Sequence, residues 1–136
     1  MSRSGVAAFE CEYTSCFLRQ ALIEALSLPV TYVVVKGGST LNDATREDAL
    51  AAGLETCAAI IDNGSDAPGT ILRLCSKDFR QVCAAAPLII AKGQGNAETL
   101  SKAGARVFCL LQIKCPVSAR DLGASVGGVV VRRSVV

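Results

Sequence analysis

Three short polar stretches hold most of the residues able to do chemistry: Lys36-Gly-Gly-Ser-Thr-Leu-Asn42-Asp43-Ala-Thr45, Asp62-Asn63-Gly64-Ser65-Asp66 and Lys92-Gly93-Gln94-Gly95-Asn96. Each follows an apolar run and mixes glycines with small polar or charged side chains. Asp43, beside Asn42, is the best candidate for chemistry. A carboxylate is the donor a hard divalent cation requires, and Mg²⁺ or Mn²⁺ held there would bridge protein and substrate phosphate; the same residue could equally cap a helix beginning near Thr45. Asn63-Gly64-Ser65-Asp66 reads either as a turn whose Ser65 or Asp66 caps the next helix, or as a site for phosphate oxygens on backbone amides and the Ser65 hydroxyl. In Lys92-Gly93-Gln94-Gly95-Asn96, the glycines would let backbone N–H groups approach an anion while Lys92 adds a full positive charge. The plainer alternative is a glycine-rich turn with Asn96 as N-cap. The spacing is not that of a P-loop, which needs Gly-Lys-Ser/Thr after four spacer residues.

Composition narrows the mechanisms. The 136 residues contain no histidine, so a nucleophile activated by imidazole is excluded within the chain, and catalysis must run on carboxylates, lysine, backbone amides or a metal. Seven cysteines, an odd number with no CxxC pair, sit mostly in apolar runs such as VFCLL and read as buried, reduced thiols rather than a disulfide framework or zinc site. A net charge of +2, with Lys and Arg scattered among acids, does not make a nucleic-acid surface. No apolar stretch is long enough to span a bilayer, and Glu10 interrupts the start before a secretory core forms, so a cytoplasmic location is expected.

The elements that must position these stretches alternate between strand and helix. Phe17 to Leu26 has helical periodicity and stops at Pro29; Val30 to Gly38 is a β-branched strand; Thr45 to Leu54 is a helix with Thr45 as N-cap. Cys57 to Asp62, Ala86 to Ala91, Arg106 to Lys114 and Gly127 to Arg133 read as further strands. Helical periodicity runs from Thr70 towards Ala86 with a break at Ser76, and again from Asn96 to Ala103, while Cys115 to Leu122 is a loop or short helix. The pattern predicts a single α/β domain over residues 1–136 with a mostly parallel sheet, and ligands beyond the carboxyl ends of its strands. All three polar stretches fall at that edge.

The stretches LNDATREDAL, IDNGSDAPGTIL, PLIIAKGQGNAETL and LLQIKCPVSARDLG with GGVVVRR, in this order, resemble the metal-binding domain of the damage-control phosphatases. The resemblance covers roughly Leu22 to Arg133. It implies a three-layer α/β/α sandwich with a Rossmann-like sheet, and hydrolysis of phosphate esters of small metabolites such as sugar phosphates with Mn²⁺, Mg²⁺, Co²⁺ or Ni²⁺. It makes Asp43 a metal ligand and Lys92 a phosphate-binding cation, with Gly64, Ser65, Gly93 and Gly95 shaping the anion site and Asn42 as a neighbour; Asn63 and Asn96, from the same polar loops, complete the expected phosphate-binding set.

One departure matters. The family's Asp-Asn-Ala-Gly-Glu segment, which completes the metal site, has no match where this chain reads Cys11-Glu12-Tyr13-Thr14-Ser15. One carboxylate is a poor cage for Mg²⁺ unless substrate phosphate completes the shell. The resemblance also leaves out a preceding helical region, and a first strand over Gly5 to Phe9 reads as weak or absent. The expectation is therefore a truncated or frame-altered relative, poorly ordered over residues 1–16, with an exposed sheet edge through which copies could associate. A phosphatase, a non-catalytic phosphometabolite-binding module and an inactive fragment are the competing readings.

Overall fold

The computed structural model describes residues 6–9, 31–40 and 43–135. Six strands form one sheet in the order β3-β2-β1-β4-β5-β6, with β1 at Val6–Phe9, β2 at Thr31–Val35, β3 at Ala59–Asp62, β4 at Leu88–Lys92, β5 at Val107–Gln112 and β6 at Val129–Arg133. All neighbours run parallel except β6, which lies antiparallel to β5. The described helices are α1 (Arg46–Ala51), α2 (Lys77–Ala85), α3 (Gln94–Thr99) and α4 (Pro116–Leu122). The helix expected over Phe17 to Leu26 lies outside the described residues, as do residues 1–5 and 10–16 of the segment expected to be poorly ordered.

The strand expected to be weak or absent is present and central. Val6–Phe9 pairs with β2 on one side and β4 on the other, with Ala8 opposite both Val33 and Ile90. Ala7 and Ala8 have little β-propensity of their own, but a strand paired on both sides gains stability from its neighbours as well as from local preference. Among the described residues the outermost strands of the sheet are consequently β3 and β6, not the amino-terminal strand.

Side-chain alternation on β2 assigns the core. Val34 packs in one apolar cluster with Phe79 and Cys83 of α2, Leu100, and Ile89, Ala91, Val107, Cys109 and Leu111 of β4 and β5. Val33 and Val35 join a second cluster with Ala44, Ala49 of α1 and Leu54. Successive residues of a strand point to opposite faces, so the two clusters lie on opposite sides of the sheet. Burial pushes the Cys75, Cys83 and Cys109 thiols above their ordinary value, as expected of sulfur used as a small apolar group.

The helix starts are set by local chemistry. Thr45 caps α1 in a reciprocal capping box: its hydroxyl accepts the Asp48 N–H, and the Asp48 carboxylate accepts the Thr45 N–H at 2.8 Å. The break expected at Ser76 is the N-cap of α2, where the Ser76 hydroxyl accepts the Phe79 N–H at 3.2 Å. Phe79 fills the centre of the larger cluster at 1% exposure, whereas Val129 on β6 is 77% exposed. Phe79→Ala should therefore cost about 3–5 kcal/mol in urea unfolding, and Val129→Ala less than about 0.5 kcal/mol; equal costs would contradict this assignment of the core.

Candidate functional site

The sheet order places the expected loops together. Strand order reverses at the β1–β4 boundary, the point where open α/β sheets leave a crevice beyond their carboxyl ends. Lys92 is the last residue of β4, one rung beyond the pairing of Phe9 with Ala91. Val35 pairs with Asp62, so Lys36 and Asn63 leave β2 and β3 side by side.

Hydrogen bonds join these loops into one layer. The Asp43 N–H donates to the Thr40 carbonyl at 2.9 Å, and the Thr40 hydroxyl donates to the Asp66 carbonyl. The Gly37 N–H donates to the Ser65 carbonyl at 3.0 Å and lies 3.2 Å from Asn63 Oδ1. A Cβ on Gly37 would come within 2.7 Å of the backbone of Gly64 and Ser65, so only glycine permits this approach. Further along, the Thr70 N–H donates to Thr99 Oγ1 at 2.9 Å, and the buried Thr70 hydroxyl to Asn96 Oδ1 at 2.8 Å. Asn96 Nδ2 then reaches back to the Lys92 carbonyl at 2.9 Å.

Several expectations change in detail. Thr45, not Asp43, caps α1, which removes the plainer reading of Asp43 and leaves its partly buried carboxylate in the loop after β2. Asn42 lies outside the described residues. Neither Ser65 nor Asp66 caps a helix: the Ser65 hydroxyl accepts the Ala67 N–H at 3.1 Å, and the first helical turn after it begins only at Leu72. The Gly64 and Ser65 N–H groups are bound within the turn, to Asp62 Oδ1 and Asn63 Oδ1, each at 2.9 Å. Backbone capture of phosphate by those two amides would have to displace these bonds.

Asn96 is not an N-cap. Gly93 takes that position with φ of +92°, which lets α3 start directly at Gln94 and carries Asn96 into the first turn. At 0% exposure, with both ends of its amide engaged, Asn96 shapes the Lys92 turn from within. Asn63, also buried, likewise uses its side-chain oxygen to hold Gly37 and Ser65. Gly95 lies inside α3, where its carbonyl meets Gly69.

Lys36 was legible in the sequence only as the start of a polar stretch. It is 3% exposed, and its Nζ donates to the Ala67 carbonyl at 2.5 Å and to the Gly69 carbonyl. Nothing in the local pattern indicates such long-range partners; the one hint is a lysine placed between a run of buried valines and two glycines.

A divalent metal fits these residues in kind but not in number. Asp43 offers a hard oxygen at the loop layer, yet among the described residues no three His, Cys, Asp or Glu side chains gather as a cage. The nearby Asp62 carboxylate is taken up by Arg46 at 3.5 Å and by the Gly64 N–H.

A cleft of about 290 Å³ lies between α3, α4 and the β5–β6 side of the sheet. Gln94, next to the Lys92 turn, forms part of its wall, and Cys115 and Ser118 another. Hydrogen bonds from the Ser118 hydroxyl and then the Ser118 N–H hold the Cys115 thiol below its ordinary value. At pH 8 iodoacetamide should alkylate Cys115 faster than Cys75, Cys83 or Cys109, as followed by peptide mass spectrometry; earlier labelling of Cys109 would contradict the bonding at Ser118.

The chain is similar to known proteins in sequence and in fold. The family model for the damage-control phosphatase ARMT1-like domain matches residues 7–130. A damage-control phosphatase of Pyrococcus horikoshii is 42% identical over 113 residues, which cover 82% of this chain and 39% of that protein. A damage-control phosphatase of Archaeoglobus fulgidus is 38% identical over 101 residues, covering 73% of this chain and 35% of that protein. The crystal structure of a DUF89 family protein from Pyrococcus horikoshii superposes with a TM-score of 0.89 at 36% identity, over 96% of this chain and 47% of that one. The chain thus spans less than half the length of these relatives.

Proposed function

The chain belongs to the damage-control phosphatase ARMT1-like domain family, and from that premise we propose that it binds phosphate esters of small metabolites, sugar phosphates among them, and hydrolyses them with a divalent metal. The observation that carries this reading is the joining of the loops after β2, β3 and β4 into one hydrogen-bonded layer at the carboxyl edge of the sheet. In this reading Asp43 would hold Mn²⁺, Mg²⁺, Co²⁺ or Ni²⁺, which would supply positive charge to the phosphoryl group. Lys92 adds a second positive charge at the turn after β4 and steadies charge on the phosphoryl oxygens. Gly93 and Gly95 give that turn its shape, and the Ser65 hydroxyl, which accepts from the Ala67 N–H, keeps its own proton as a further donor. Two apolar clusters on opposite sides of the sheet support a three-layer sandwich. Free thiols at Cys57, Cys75, Cys83, Cys109 and Cys115 suit a reducing, cytoplasmic setting.

A second reading is favoured by Cys11-Glu12 standing where the resemblance calls for Asp-Asn: a module that binds phosphometabolites without turning them over. A panel of sugar phosphates assayed with each of the four metals separates the two. Turnover that needs metal, abolished in Asp43→Asn and lowered about 100-fold in Lys92→Ala, supports the enzyme. Full activity in Asp43→Asn would remove that residue from the site. Phosphate binding that weakens in Lys92→Ala while added metal changes nothing would establish the module instead.

A further inference from the structure

Lys36 has no part in the chemistry just described, yet it is among the most deeply buried polar residues of the fold. A lysine ammonium offers three N–H donors and no acceptor, and removing one from water is costly unless those donors are satisfied. Here Nζ donates to the Ala67 and Gly69 carbonyls, more than thirty residues away along the chain. These carbonyls belong to the segment that descends from the Asn63-Gly64-Ser65 turn to Thr70. Its near end is held against Gly37 by the Gly37 N–H bond to the Ser65 carbonyl. Its far end is held against α3: a Cβ on Gly69 would lie 2.5 Å from the Gly95 carbonyl, and Thr70 bonds to both Thr99 and Asn96. Asn96 in turn fixes the Lys92 carbonyl.

We propose that Lys36 is a positioning residue that clamps the 63–70 segment between the loop after β2 and the start of α3, and so sets the placement of the Lys92 turn on which phosphate binding depends. The proposal rests on the phosphate-site reading given above. Lys36 itself touches neither substrate nor metal in this scheme. It acts through two carbonyls that would otherwise turn away, and through the buried relay Gly69–Thr70–Asn96–Lys92. Because a shift of about 1 Å in a positioning group can cost about a hundredfold in rate, loss of the clamp should be felt at a site it does not contact.

The test uses the 136-residue chain as wild type, Lys36→Met, Lys36→Arg, Lys92→Ala and Thr70→Val. Inorganic phosphate affinity is measured by titration calorimetry, and amide exchange over residues 64–70 and 93–96 by mass spectrometry. Lys36→Met should weaken phosphate binding by about tenfold or more and speed exchange in both segments. Lys36→Arg, which can still donate to two carbonyls, should recover most of the affinity; a purely structural role predicts a lower melting midpoint without loss of affinity in the folded protein. Wild-type affinity and exchange in Lys36→Met, alongside loss of binding in Lys92→Ala, would overturn the clamp and leave the phosphate site standing. If the wild type itself binds no phosphate, the site reading fails and exchange alone decides: unchanged protection of 64–70 in Lys36→Met overturns the clamp, and faster exchange upholds it. Should Lys36→Met not fold, Thr70→Val cuts the same relay without removing a charge; affinity and 93–96 exchange equal to wild type would then overturn the proposal.

Discussion

Buried backbone polar groups must find partners, and at the carboxyl edge of this sheet that requirement governs everything around it. A parallel sheet delivers several loops to one place, and a loop pressed between others cannot rely on water to satisfy its carbonyls. The segment from Asn63 to Thr70 meets the problem with side chains: Lys36 for the Ala67 and Gly69 carbonyls, its own Asn63 for the Gly37 and Ser65 amides, and Thr99 for the Thr70 amide. The sheet brings the loops after β2, β3 and β4 to one edge, and these partners tie them into a shared layer there.

The same ties explain why glycine recurs at the contacts. Gly37 lies flat against Gly64 and Ser65, and Gly69 against Gly95, with separations that leave no space for a methyl group. Glycine motifs at such an edge are commonly read as room for a ligand. In this chain Gly37 and Gly69 provide room for neighbouring backbone, and only the Gly93 turn keeps the geometry of a strand-to-helix transition.

How much of this was legible from residue order varies with the range of the interaction. Alternating apolar runs and helical stretches gave the α/β class, and the β-branched run ending at Lys36 gave β2, because those signals are local. Thr45 with Asp48 three residues later was readable as a cap for the same reason. The VAAF strand was not, since four residues with two alanines at the centre make a weak local signal, and their pairing with β2 and β4 is long-range. Asn96 looked like a cap because asparagine often is one; Gly93 moved the helix start forward and turned the amide inward. The role of Lys36 was out of reach, because its partners lie more than thirty residues on and only the tertiary fold brings them to it.

The placement of β1 also bears on how the chain reaches this state. Val6 lies opposite Thr31 and Leu88 alike, so the middle of the sheet joins residues from near the start with residues well past the midpoint. Pairings so distant in sequence close late and slow the search. Until β4 arrives, one side of β1 is an open row of amides and carbonyls, and a foreign strand could occupy it. The interval before that closure is when this molecule is most exposed to misassembly.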